Sequence, residues 1–354
     1  MRQVLVFSGH AYILAVMQMK SPLFLLFPVL LGLILWPEAA SGGVIEALRL
    51  CGTAVIPALF PYMVLCKLIV ALGVLPKVAS PRADRLLRRL YGVGGEALTP
   101  LLLSFIGGYP VGVAAVCEQY RAGRISKAGA QRAICFCNNS GPAFFFGVIG
   151  GQLFHDSRVG LLLYLIHVLS GLIAGILTAA PAGPIVSPKP TTQEKSTFGA
   201  AFLDAVSDSC NALLKICGLV LTFRVLLRLL EASSLFRLLP TGSDTLLAGL
   251  LELTCGILSL QPGRAAFLLS ALFMGWGGLC VHMQAASLYR PLELAPQGYY
   301  VTKLLHGLLS LLLAWVCCAP TPLRVLLGVL PLLLCAILPQ IRKQWTGNPR
   351  QVAV

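Results

Sequence analysis

Several polar and helix-breaking residues in this sequence stand among apolar neighbours, where each needs a reason. The first group is Gly107-Gly108-Tyr109-Pro110-Val111-Gly112, inside the stretch SFIGGYPVGVAAVCEQYRAGRIS. Paired glycines and a proline interrupt an α-helix and free backbone N–H and C=O groups that would otherwise pair along the chain. The second group is Cys137-Asn138-Asn139-Ser140-Gly141-Pro142. Carboxamides both donate and accept, so Asn138 and Asn139, with Ser140, suit the edges of a neutral polar solute. The same residues could instead cap the carbonyls of a kinked helix. At each break a helix would restart at a proline, Pro110 or Pro142, presenting its N-terminal N–H groups. The third group lies later in the chain. Glu252 sits in LLELTCGI, and His282 and Gln284 follow Gly275-Trp276-Gly277-Gly278. These could supply matching polar groups, so Gly107, Gly108, Tyr109, Pro110, Gly112, Asn138, Asn139, Ser140, Glu252, His282 and Gln284 form the candidate binding set. His167 and His306, single imidazoles on apolar segments, read as structural.

A charged stripe is the other candidate. Asp204, Asp208, Asn211 and Lys215 sit at i, i+4, i+7 and i+11, within roughly 60° of arc on one helical face. Glu46, Arg49, Thr53 and Pro57 share a face in the same way. Ionisable groups in a membrane are costly and usually face a bundle interior or an aqueous cavity. Glu46, Asp204 and Asp208, with Asn211 and Lys215, are therefore candidates to couple a cation or proton. Internal polar contacts are the equal alternative.

The elements that must position these residues are membrane helices. The chain is 57% hydrophobic and 11% charged, with mean hydropathy +0.84, against about 25% charged residues in soluble domains. Several apolar runs reach the roughly 20 residues that span a bilayer core. The expected fold is all-α, a polytopic membrane protein of about eight to ten apolar helical segments with broken or re-entrant helices. Ten-residue alternating strands, the mark of an outer-membrane barrel, are absent. The net charge of +14 fits basic loops that orient membrane spans, and nucleic acid is not an expected partner. Twelve cysteines fall mostly in apolar segments with no C-x-x-C pair, so neither a disulfide scaffold nor a metal site is expected. No phosphate-binding loop, H-E-x-x-H or G-x-S-x-G occurs. An enzyme and a cofactor are therefore not expected.

Residues 1–43 form an N-terminal segment with a first short span near 22–36. Arg2 and Lys20 flank a weakly apolar stretch without a small-residue cleavage site, so no cleavable signal is expected. Residues 44–180 form a first membrane repeat and 181–198 (PAGPIVSPKPTTQEKSTF) a polar linker. A second repeat covers 199–320, and 321–354 hold a last span and a basic tail. The arginines at 82, 85, 88 and 89 mark a cytoplasmic interfacial helix within 77–96. Arg121, Arg124, Lys127 and Arg132 follow the first break. Basic flanks on both sides call for a re-entrant hairpin, because one full span cannot place both ends on one face; a single kinked full span is the competing reading. Its legs, 97–107 and 110–120, are about eleven residues each, half a bilayer at roughly 1.5 Å per residue.

A shift of 169 lays Ser104–Gly108 on Phe273–Gly277, and a shift of 158 lays Glu46 on Asp204. Paired breaks in two halves point to a transporter-like site.

Ser104–Ser126, Asn138–Gly147, Glu252–Gly256 and Gly275–Gln284 together resemble the YlbJ-type sporulation integral membrane proteins. These are part of a wider group carrying the nucleoside-recognition or gate domain. The resemblance covers roughly 40–320 and implies two inverted gate-like repeats in an inner-membrane protein of endospore-forming bacteria. Many relatives carry a lysine just after the hairpin glycines, where this chain has Val113-Ala114, leaving Glu118 as the hairpin's charge. The expected function is binding or transport of a small polar solute, nucleosides among the candidates, near the membrane midplane. The alternative is a non-transporting scaffold for spore envelope assembly. Membrane lipid and a coupling cation or proton complete the expected partners, and homo-oligomerisation is left open.

Overall fold

The computed structural model describes residues 23–72, 80–179, 197–234 and 242–318. Every regular element among them is helical. The chain is an all-α, multi-pass membrane protein. Helices α1 (Leu23–Leu35) and α2 (Pro37–Leu50) meet at a sharp bend, where Pro37 starts the second helix. A wide π-helical turn, Cys51–Val55, carries α2 into α3 (Ile56–Ala71). The basic helix α4 (Pro81–Tyr91) is capped by Ser80, whose hydroxyl accepts from Ala83 N at 3.3 Å, and it ends on left-handed Gly92. The chain then bends by 89° between Tyr91 and Gly95, and a short 3₁₀ turn, Gly95–Ala97, leads into α5 (Leu98–Gly107).

Helices α5 and α6 (Val111–Arg121) pack against each other as a hairpin around Gly108–Pro110. The peptide bond before Pro110 is cis. Helix α7 (Lys127–Phe136) leads through an extended break to α8 (Pro142–Phe144), which continues as a π-helical segment, Phe145–Leu153. Asp156 caps the unbroken α9 (Ser157–Leu177), accepting from Arg158 N at 2.8 Å.

The second half repeats this order. Helices α11 (Ser243–Leu251) and α12 (Leu253–Leu258) turn back on each other at Glu252, with Gly249 against Gly256. Helix α13 (Arg264–Trp276) is interrupted at Gly277 and resumes as α14 (Gly278–Tyr289). Helix α15 (Tyr299–Cys317) is again unbroken. Each half therefore has a hairpin, a broken helix and a continuous helix.

Between the halves runs α10 (Phe198–Ala232), 35 residues long. It lies antiparallel to α2 and α3. Gly43 of α2 packs on Val225 near one end of α10, and Lys67 of α3 reaches Asp208 near the other.

Three helices are long and apolar enough to cross a bilayer: α9, α13–α14 with the turn that follows, and α15. Two bent pairs, α1–α2 and α4–α5, would bring the number to five among the described residues. The eight to ten apolar segments read from hydropathy thus resolve into fewer full-length spans. Hairpin legs are too short to cross, and α10 carries Asp204, Asp208, Lys215, Arg224, Arg228 and Glu231. The expected last span, the basic tail, nearly all of the linker and residues before 23 lie outside the described residues.

Small residues let these helices approach closely, as packing in lipid requires. A Cβ on Gly275 of α13 would lie 2.7 Å from Gly307 Cα of α15, and Ser170 Oγ of α9 lies 2.6 Å from Ser310 Oγ. Outward faces carry large apolar side chains such as Leu165, Val301, Leu304 and Leu308. One buried cluster, including Tyr91, Ile134, Phe136 and Tyr299, joins α4–α7 to α14 and α15. Another, including Phe145, Ile149, Leu163 and Phe273, joins α8 and α9 to α12–α15.

Candidate functional site

The two breaks of the first half cross backbone on backbone. Gly108 has φ +77°, a left-handed conformation that glycine adopts at little cost. A Cβ there would lie 2.9 Å from Gly141 N. One on Gly141 would lie 2.9 Å from both Gly108 N and Ile106 O. Only hydrogen fits at either position. Gly112 is equally constrained, pressed between Cys137 O and Ser104.

A second crossing is built in the second half. Glu252 is extended (φ −137°, ψ 111°) between α11 and α12, and a Cβ on Gly278 would meet Leu253 N at 3.0 Å. The two crossings touch through Tyr109. Its hydroxyl donates to Met274 O at 2.7 Å, and its ring end abuts Gly277.

The shift of 169 had laid the hairpin break on Gly275–Gly277. The element order corrects this. The hairpin break at 107–110 corresponds to Glu252, and the α7–α8 break to Gly277-Gly278.

A cavity of about 740 Å³, its open mouth included, lies between the crossings. Gly108, Tyr109, Ser140 and Gly141 contribute from the first crossing, and Glu252 and Gln284 from the second. Ile216 and Val220 of α10 and Tyr62 of α3 form the opposite wall. Glu252 is 3% exposed. One of its carboxylate oxygens accepts from Cys255 N at 2.7 Å, capping α12. Gln284 Nε2 points to the Cys280 sulfur at 3.4 Å. The cavity therefore offers one carboxylate, one carboxamide, a serine and the backbone of two broken helices within apolar walls. That combination can orient a small polar solute by a few directed hydrogen bonds.

Asn138 and Asn139 sit behind the first crossing rather than at the cavity wall. Asn139 Nδ2 donates to Ser104 Oγ (2.9 Å) and Phe136 O (2.8 Å), tying the broken end of α7 to the hairpin. This is the capping role that the sequence left open. Asn138 Nδ2 donates to Tyr299 Oη at 2.6 Å, and its Oδ1 is buried without a partner. His282 Nδ1 lies 3.0 Å from the same tyrosine oxygen, with its Nε2 unpartnered.

Sequence reasoning missed Lys303. It is 1% exposed on α15. Its amine contacts Asn138 O (2.8 Å), His306 Nδ1 (3.1 Å) and, at 3.5 Å, Tyr109 Oη. No carboxylate is paired with it among the described residues. His306 Nε2 lies 3.0 Å from His167 O, and His167 Nε2 accepts from Ser140 N at 3.0 Å. The two histidines read as structural thus belong to the polar network of the crossing. The signal was present in YYVTKLLHGLLS: an ionisable residue inside an apolar span is a site hypothesis by default.

The charged stripe fares differently. Asp204, Asp208, Asn211 and Lys215 do share one face of α10, but that face is the exposed one. Along this stretch Ala201, Ala205, Ser209, Leu213 and Ile216 turn inward instead. Asp208 pairs with Lys67 at 3.0 Å, and Lys67 also meets Glu118 of the hairpin at 3.3 Å. Glu46 is held by Arg224 and Arg228, while Arg49 and Thr53 point outward. None of the five proposed coupling residues lines the cavity between the crossings. Among the described residues, no group of three or more His, Cys, Asp or Glu is placed to hold a metal ion.

The chain resembles the sporulation integral membrane protein YlbJ of Bacillus subtilis (strain 168). It is 25% identical to that protein over 310 residues, covering 77% of this chain and 76% of the relative. The resemblance read from the break motifs is thereby supported over most of the chain. No family model matches, and no solved structure matches.

Proposed function

We propose that this chain is a bacterial inner-membrane protein of sporulation. It binds or carries a small polar solute in the cavity between its two break crossings, with no catalysed reaction. The observation that supports this most is the pairing of crossings: each half brings two broken elements into backbone contact, and the space between them holds Glu252 and Gln284. Discontinuous helices in corresponding places of two halves are where membrane transporters place their substrates. Nucleosides remain one solute class, because their hydroxyls and ring edges suit a carboxylate, a carboxamide and free backbone groups. The two halves would act as inverted gate-like repeats, and the hairpin α5–α6 would be re-entrant, entering and leaving on the cytoplasmic face.

The test is uptake into proteoliposomes of a nucleoside and polar-metabolite panel, with and without an ion gradient, for wild type and Glu252→Gln. Accumulation of a panel solute that falls in the variant supports the reading. Absence of any accumulation counts against transport, and absence of equilibrium binding by the same panel counts against the site.

One observation favours a second reading, a non-transporting scaffold of spore envelope assembly. The exposed polar face of α10, with Asp204, Asn211 and Lys215, is a surface a partner could dock on. Substitutions there would then impair function, while Glu252→Gln would not.

A further inference from the structure

We propose that the crossing of the first half holds a proton at Lys303, so that the ion coupled to its opening is H⁺. This adds the coupling ion to the solute-binding reading. It stands on a count of donors and acceptors around one buried amine.

Tyr109 donates its hydroxyl hydrogen to Met274 O, so its oxygen faces Lys303 as an acceptor. His306 Nε2 faces a carbonyl, His167 O, so that nitrogen carries the ring hydrogen and Nδ1 faces Lys303 as an acceptor. The third neighbour is a carbonyl oxygen, Asn138 O. All three neighbours are acceptors, and an ammonium has three N–H donors. A neutral amine has two, so loss of the proton turns a lone pair toward one of these acceptors and releases it.

The groups released are the ones that build the crossing. Asn138 O belongs to the α7–α8 break, and Tyr109 stands at the hairpin tip between the two crossings. The titratable groups facing Lys303 are Tyr109 from the hairpin, His167 from α9, His282 from α14, and His306 beside it on α15. The α7–α8 break presents the Asn138 carbonyl to it, and Met274 O of α13 faces Tyr109 rather than the amine. A buried ammonium with only neutral partners is costly, which makes its proton the loosest component of the assembly. Protonation closes the crossing and deprotonation loosens it.

The test uses the purified full chain in detergent without solute. Hydrogen exchange is followed by mass spectrometry in peptides covering 104–112 and 136–142, corrected for the intrinsic pH dependence of exchange. In the wild type, protection at these breaks should fall about tenfold from acidic to alkaline pH, the loss of one hydrogen bond to a charged group. The step should be absent in Lys303→Met and in Lys303→Gln, whose amide keeps donors without the charge. An unchanged wild-type protection across pH overturns the proposal. So does a step that persists in either variant, which would assign it to the imidazoles. The wild type alone gives a second readout: with ¹³C-labelled lysine, one ε-carbon should change from ammonium to amine together with the step. A step with every lysine still an ammonium contradicts the proposal. Failure of solute binding with the step intact would remove the proposed function and leave this inference standing.

Discussion

The two crossings are alike in backbone and opposite in chemistry. Gly108 on Gly141 and Gly278 on Leu253 solve the same problem, two interrupted helices passing within van der Waals contact. The first crossing is surrounded by Lys303, three imidazoles and two tyrosines, with no acid among its hydrogen-bond partners. The second brings the carboxylate of Glu252 to the cavity that both crossings line. The proposed function turns this contrast into a division of labour. Under that function, the basic crossing would hold the breaks together, and the acidic one would meet a solute in the cavity that both crossings line.

The largest effect expected is at the shared geometry. Gly108→Val combines a left-handed backbone with a side chain placed on Gly141 N, and should destabilise the protein by about 3 kcal/mol or more, read by thermal unfolding in detergent. Gly218→Ala is the contrast. It lies on α10 with nothing within 4 Å of its new methyl, and should be neutral or stabilising by about 0.5–1 kcal/mol.

Next comes the opposition between Lys303 and Glu252. Lys303→Met leaves Asn138 O and His306 Nδ1 buried without their donor, a loss of about 2–3 kcal/mol in stability. Glu252→Gln keeps an oxygen to accept from Cys255 N and should cost less than about 1 kcal/mol. It should instead lower solute affinity about tenfold in equilibrium binding, the loss of a charged hydrogen-bond acceptor. If the two variants behave alike in both measurements, the division of labour is wrong.

Tyr109 joins the crossings, and Tyr109→Phe removes its bond to Met274 O. That should cost about 1–1.5 kcal/mol in thermal unfolding and loosen both break regions in hydrogen exchange. The smallest effect is expected at Asp204, exposed on α10. Asp204→Asn should change stability by less than about 0.5 kcal/mol and leave solute uptake unchanged.

Much of this arrangement was legible in the residues. Gly107–Gly112 and Asn138–Pro142 announced breaks because clustered glycine, proline and asparagine disfavour an uninterrupted helix in an apolar run. Glu252 and Gln284 stood out because lipid tolerates few such groups. The break at Glu252 itself was not legible as the hairpin's counterpart. It has no adjacent proline or glycine, and its extended conformation is set by the passage of Gly278 alongside. Matching glycines by letter therefore aligned the wrong elements.

The stripe on α10 failed for another reason. Helical periodicity tells which residues share a face, and packing alone decides which face turns inward; here Ala201, Ala205 and Ser209 did. Lys303 was overlooked as a single charge in a span otherwise fit to cross a membrane, and its acceptors come from residues 109 and 138, far away in the chain.

The most direct test of the central claim is uptake of the solute panel by proteoliposomes carrying wild type or Glu252→Gln, reconstituted to equal amounts of folded protein. At least one polar solute should accumulate above empty vesicles, and its uptake should fall about tenfold at subsaturating concentration in the variant. Uptake equal in the two proteins, or none for any solute in the wild type, would contradict that claim.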